Sequence, residues 1–486
     1  MTVQGMTVLQ PKLLSKFLCL EMDDPAIGLL VGSSSFISGI GTLIQTTTGV
    51  RLPVVQGSAL VLASPALAEL KFDTVPCPEG NATTDDDVWM SRILQVQGNI
   101  AMGAITELFM GAMGFVGVLQ RWVTPLTMTP IITLLGLSNM SAATEPASTN
   151  WTIAVITATL ITLLSHYMTP WRPTSEVVAV KKLNDCITFL SIVPIFVTVL
   201  VVWLICHILT VHDSSRKTTP AARTTWRSAI GNATWFRLPY PFQWGAPTPR
   251  WESMLATTFV SFISMTETVC DYYAYAVVAG LPPPPQRAIN RGIFHEGLSC
   301  LLAGFHGSGI ACGSQDLQLG LMALTKCASL RVVQVAAVMM ILFGLVNKAS
   351  VFVLSIPTPI VGGLLIVLLA TVTGVGLAHL RYVDLTSSRN VFIVGISLIL
   401  GIVIPRHLGE ADKFTMTRTE DERGILKLRE CFDEAGARTM VARDPLRHWQ
   451  YYSVPFLEGL LKKFPFLRKL PIMPEREAHA TFIEDE

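Results

Sequence analysis

The sequence predicts an all-α polytopic membrane protein, and three observations carry that expectation. Half of the 486 residues are hydrophobic and only 15% are charged, too little charge to cover the surface of a soluble chain of this length. Mean hydropathy is +0.49. Long apolar runs recur at close to the ~20 residues that a helix needs to cross about 30 Å of hydrocarbon. The net charge of +1 gives no bulk field to gather nucleic acid. The nine cysteines are scattered, mostly in apolar runs, and Cys77 stands alone in its polar loop, so a disulfide framework is not expected. There is no metal-type Cys/His cluster, phosphate-binding glycine loop or nucleophile elbow, and an enzyme is not expected.

Residues 1–24 carry Lys12, Lys16, Glu21, Asp23 and Asp24 and read as a polar N-terminal segment. The apolar stretch between these charges is too short and interrupted for a signal peptide or a spanning helix. Nearly charge-free runs then cover about 26–48, 97–120, 125–144, 151–168, 186–211, 254–279, 332–347, 358–379 and 390–405. Three more, 52–70, 293–306 and 307–326, are shorter or broken by Gly, Pro or polar residues, which brings the expected number of spans to about twelve. Asn-x-Ser/Thr sequons at Asn81, Asn150 and Asn232 all fall on one side of this arrangement. The opposite loops carry Arg51, Arg121, Arg172, Lys181, Lys182, Arg287, Arg291, Lys326, Arg331, Arg381 and Arg389, the pattern of cytosolic loops. Residues 282–285, four prolines, read as a stiff connector on the cytosolic side.

Two acids stand out. Glu267 and Asp271 lie four residues apart in an apolar run and so share a helix face. A carboxylate in hydrocarbon is costly unless it is paired, protonated or facing water, so this pair marks a candidate polar site. Glu107 is a third acid deep in a run, readable as electrostatic support for the core or as a hydrogen-bonded residue with no ligand role. His295 and Glu296 read as snorkelling or capping residues at the opening of a span. Gly57 permits either a close backbone approach or a tight turn.

Around these acids, DYYAYAVVAGLPPPPQRAINRGIFHEGLSCLLAG resembles the nucleobase–ascorbate transporter family, in particular its animal vitamin C and nucleobase branch. GTLIQTTTGVRLPVVQG (41–57), TPLTMTPIITLLGLS (124–138), WFRLPYPFQWGAPT (235–248), IPTPIVGG (356–363) and SSRNVFIVG (387–395) extend the resemblance over about residues 26–408. It implies fourteen spans in two inverted repeats of seven, in which the third and tenth spans are each a short extended piece plus a half-helix. It also implies a core domain (about 25–123 and 254–348) moving against a gate domain (about 124–211 and 349–408). An extracellular loop over 212–253 and a cytosolic, partly disordered tail over 409–486 complete the expected division. The expected activity is cation-coupled uptake of a nucleobase or ascorbate at the plasma membrane by a glycosylated homodimer. The coupling ion would be Na⁺, with no cofactor. Glu267 matches the family's substrate-binding Glu. The implied substrate contacts are Glu267, Asp271, Ser58, Leu60, Ser314, Leu317 and Gln318, with Asp271, Glu107 and Asp316 as candidates for cation binding or core support.

The chain departs from the pattern in four places. Leu317 replaces the acid or proline that separates nucleobase from ascorbate carriers, and Gln318 replaces an Asn. Leu60 and Leu62 stand where phenylalanines are usual. Nothing before residue 25 resembles the first span, and the text passes from IVIPRHL (402–408) to TEDERGI (419–425) without the last one. About twelve of the fourteen spans are thus expected. These departures keep a second reading open, a transport-inactive relative acting as a membrane scaffold or regulatory partner.

Overall fold

The computed structural model describes residues 14–15, 17–20, 24–59, 62–71, 86–117, 123–167, 193–212, 234–354 and 356–411. The first half of the fold begins with α1 (Pro25–Thr47), capped by the Asp24 side chain accepting from the Ala26 N–H at 2.7 Å. It continues with β1 (Gln56–Ala59), α2 (Ser64–Lys71), α3 (Asp86–Met113), α4 (Pro125–Ser138), α5 (Met140–Ser148), α6 (Trp151–Thr162, running into a π turn over Leu163–Tyr167) and α7 (Pro194–His212). The second half comprises α8 (Trp251–Val278), α9 (Gln286–His306), β2 (Ala311–Ser314), α10 (Asp316–Thr325), α11 (Leu330–Leu345), α12 (Asn347–Leu354), α13 (Thr358–Ala378) and α14 (Ser388–Ala411). Among the described residues, four helices are long and apolar enough to cross a membrane, and α11 with α12, bent by 101°, makes a fifth candidate. Exposed faces carry Phe259, Val335, Met339 and Phe392, large apolar side chains that water would not tolerate in such density but hydrocarbon does.

Two of the three interrupted runs resolve as broken helices. Residues 52–70 become β1 and α2, and 307–326 become β2 and α10. The strands pair antiparallel, Gln56 with Ser314 through Ala59 with Ala311. Backbone at this depth has no water to bond, so each strand supplies the other's partners.

Helix packing falls into two groups. In one, α1 lies on α11 and α9, and α3 lies on α9 and α8. In the other, α13 packs against α4, α5 and α6, and α14 against α4. The junction between α10 and α13 joins them, where Leu317 and Leu321 rest on the cluster of Leu324, Leu364, Leu365 and Leu368.

Two expectations are corrected here. The N-terminal segment 1–24 is not wholly polar in its setting. Leu14, Leu18 and Leu20 are buried in one core cluster with Ile27, Leu30, Trp89 and Ile93, and the buried Arg92 guanidinium donates to the Phe17 carbonyl at 2.8 Å. Apolar side chains in a run too short to span a membrane still gain by filling an interior. Cys19 is disulfide-bonded, where the scattered cysteines had suggested no disulfide framework; Cys77 lies outside the described residues. The same end of the fold holds Trp89 edge-to-face with Trp244, and Trp244 Nε1 donates to the Gly307 carbonyl at 2.9 Å. The opposite end holds Arg51, and there the Arg291 guanidinium donates to the Gly49 carbonyl at 2.7 Å.

Close approach of α3 and α9 depends on glycine. A Cβ at Gly297 would stand 2.7 Å from the Leu108 nitrogen and 3.0 Å from the Ala104 carbonyl oxygen, both backbone atoms. Gly297→Ala is therefore expected to destabilise the protein by about 1–3 kcal/mol through overpacking. It should lower the thermal unfolding midpoint in detergent, whereas Gly374→Ala, inside α13 with nothing within 4 Å, should not lower it.

Candidate functional site

The site is built where α8 passes the paired strands. Along α8 the residues Trp251, Leu255, Phe259 and Ile263 are exposed, and each step of four rotates the face by about 40°. The next positions in the series are Glu267, half-buried, then Asp271, 1% exposed, then Tyr275, fully buried. The apolar outer face thus turns inward and becomes polar as it reaches β2 and α10. At the end of the series the Tyr275 hydroxyl donates to the Gln315 carbonyl at 2.7 Å, and the Gln315 N–H donates to the Val55 carbonyl at 3.1 Å. These two bonds fix the start of α10.

Asp316 occupies the first turn of α10, where the positive end of the helix suits an acid. Its carboxyl group comes within hydrogen-bond reach of Asp271. Both Asp271 oxygens and Asp316 Oδ1 are buried without a donor. Two carboxyl groups in contact need a proton or a cation between them. Asp316 and Glu296 are the charged groups that act on Glu267. Gln318, also in the first turn, is 9% exposed and its Oε1 is likewise buried without a donor.

On the facing strand, Ser58 is buried and its hydroxyl pairs with that of Ser34 on α1 at 2.8 Å. The Thr42 hydroxyl donates to the Gln56 carbonyl at 3.2 Å and accepts from the Gln56 N–H at 2.9 Å, which locks β1 to α1. Gly57 is in extended backbone within β1. A Cβ there would overlap the Gln315 side chain, its Cδ at 2.9 Å, so of the two readings open for Gly57 the close approach holds and the turn does not.

The remaining residues singled out from sequence divide as follows. Ser314 ends β2, half-buried, beside the acids. Leu317 directs its side chain into the cluster with α13, at the junction of the two packing groups. Glu107 is buried on α3 beside Ser264 and Cys300, with Oε2 lacking a partner, and Glu296 is the charged group that acts on it. Asn150 caps α6, its side-chain oxygen accepting from the Ile153 N–H at 3.3 Å. Leu60, Asn81 and Asn232 lie outside the described residues. Among the described residues, no three His, Cys, Asp or Glu side chains converge as a metal-binding group.

Glu296 was misplaced by the sequence reading. It does not open a span: α9 begins at Gln286, ten residues earlier, which puts Glu296 about 15 Å into the helix. The basic residues Arg287 and Arg291 hid this first part of α9 from a search for charge-free runs. The Glu296 carboxylate accepts from the Thr268 hydroxyl at 2.8 Å, the Tyr272 hydroxyl at 3.2 Å and the Ser314 N–H at 3.3 Å. His295, next to it, bonds through Nε2 to the Thr48 hydroxyl at 2.9 Å.

Comparison with known proteins identifies the family. The profile of the permease family that groups xanthine and uracil permeases matches residues 1–410. Solute carrier family 23 member 2 of Mus musculus is 35% identical, the alignment covering 96% of this chain and 78% of the relative. Solute carrier family 23 member 1 of Rattus norvegicus is 34% identical, covering 96% and 84%. Nucleobase-ascorbate transporter 1 of Arabidopsis thaliana is 31% identical, covering 77% and 70%. The chain is an integral membrane protein, not an enzyme, and it belongs to the xanthine/uracil permease family of transporters.

Proposed function

We propose that the chain is a secondary active transporter that moves a nucleobase or ascorbate across the plasma membrane, coupled to a cation, with Na⁺ as the coupling ion. The observation that carries this reading is the meeting of Glu267 and Asp271 on α8 with Asp316 at the head of α10, beside two paired strands that interrupt the membrane interior. Discontinuous helices with polar groups at mid-membrane are how carriers hold a solute. Glu267, half-buried, accepts hydrogen bonds from ring N–H groups or hydroxyls of the substrate. Asp271 and Asp316 share the coupling cation, and hydroxyl or backbone oxygens complete its shell. The group containing α8 and α10 shifts against the group containing α13, and the Leu317 contact lies on the surface that moves.

The charged groups that act most strongly on Glu267 and Asp271 are other acids, Asp316 and Glu296 among them. With the coupling cation offsetting the Asp271–Asp316 pair, the carboxylate of Glu267 as an acceptor still favours an uncharged, N–H-rich ring over ascorbate, which is an anion at neutral pH. The aliphatic Leu317 adds no polar contact that would reverse this preference.

Uptake of radiolabelled uracil, xanthine and ascorbate, with and without Na⁺, tests the reading. Na⁺-dependent uptake of a nucleobase is expected, and Glu267→Ala should reduce it at least about 100-fold, as loss of a contact to a buried polar site does. Uptake unchanged by Glu267→Ala would remove its assigned role. A second outcome concerns stability. Asp316→Asn supplies the donor that Asp271 lacks, so the thermal midpoint without substrate should rise by about 2 °C, while Na⁺ dependence is lost. A fall in the midpoint would contradict the like-charge contact.

A further inference from the structure

The three donors gathered by Glu296 come from separate places in the chain. Thr268 and Tyr272 sit one turn apart on α8, and the Ser314 N–H belongs to the last residue of β2. Tyr272 is itself held from the other side, because Gln45 of α1 donates through Nε2 to the Tyr272 hydroxyl and to the Gly292 carbonyl. The carboxylate therefore stands at the crossing of α1, α8, α9 and β2. It is 2% exposed. A cross-strand Cβ at Gly313 would come within 3.5 Å of Glu296 Oε1, so the strand lies directly over the carboxylate.

We propose that Glu296 is a positioning residue of the transport site: its carboxylate holds the end of β2 against α8 and so sets the distance between Asp316 on α10 and the acids of α8. This inference rests on the carrier reading above but concerns a residue one layer behind the substrate. Ser314 is two residues before Asp316, so a shift of the strand end carries the head of α10 with it. A carboxylate suits the task because it can accept all three hydrogen bonds and charge-assisted bonds are the stronger ones. Glutamine has the same shape, but its amide nitrogen is a donor and would face a donor, leaving at least one of Thr268, Tyr272 or the Ser314 N–H without an acceptor. Glu107, the neighbouring acid on α3, keeps one oxygen free of protein donors and does not duplicate these contacts.

Two measurements on the full-length protein test the proposal. Hydrogen–deuterium exchange in detergent should show the peptide containing residues 311–315 exchanging about 10-fold faster in Glu296→Gln than in the unaltered protein. Uptake by cells with matched surface protein should show KM for the transported nucleobase raised about 10-fold or more, with Vmax falling less. A general packing defect would instead lower surface expression or Vmax at constant KM. Thr268→Val removes one donor and keeps the shape, so it decides the matter if Glu296→Gln fails to reach the membrane. It should move exchange and KM in the same direction by a smaller factor. Unchanged exchange at 311–315, or a change confined to Vmax, would overturn the proposal. If the unaltered protein moves none of the solutes, the substrate reading fails, and exchange at β2 still decides the role of Glu296.

Discussion

The pairing of β1 with β2 is the constraint on which the rest of the structure depends. Eight residues of extended backbone lie inside a body that hydrocarbon surrounds, and each unsatisfied N–H or C=O there would cost several kcal/mol. The register from Gln56–Ser314 to Ala59–Ala311 removes much of that cost within the pair. The side chains of α1, α8 and α9 treat most of what is left at the strand ends: Thr42 binds both backbone groups of Gln56, Tyr275 takes the Gln315 carbonyl, and Glu296 takes the Ser314 N–H. The half-helix α10 starts where it does because β2 ends there.

The same pairing explains why acids are tolerated. Glu267 and Asp271 would be prohibitive on the outer face of α8, where Phe259 and Ile263 are exposed. The rotation of that face by successive turns brings them instead against the head of α10, whose N–H groups and positive dipole end offer compensation. The contact between Asp271 and Asp316 is left electrostatically incomplete by the protein. Such a site has a lower energy with a cation or proton bound, and that difference is what couples ion to substrate in a carrier.

Much of this was legible in the sequence, and the exceptions have identifiable causes. Composition and run length identified the membrane class, and the interruptions in 52–70 and 307–326 marked both broken helices. Burial cost alone singled out Glu267 and Asp271. The role of Glu296 was not legible, because Arg287 and Arg291 shortened the apparent span and moved the residue to its edge. The two readings of Gly57 could not be separated until Gln315, from 258 residues further along the chain, was seen to occupy the space of its missing side chain. Asp316 was visible as an acid, but its partner across the helices was not, since that contact depends on the strand register. Leu14 and Leu18 lacked any run to reveal them, and their burial comes from the surrounding helices.

A carboxylate at position 267 is tolerated in α8 only if it meets water between the broken helices. Single cysteines at 267 and at 263, probed in membranes with a small hydrophilic methanethiosulfonate reagent, test this directly. Glu267→Cys should react, and xanthine or uracil should slow the reaction, while Ile263→Cys on the apolar face should stay unmodified. An unreactive cysteine at 267 from both sides of the membrane, or one labelled no faster than that at 263, would contradict the account.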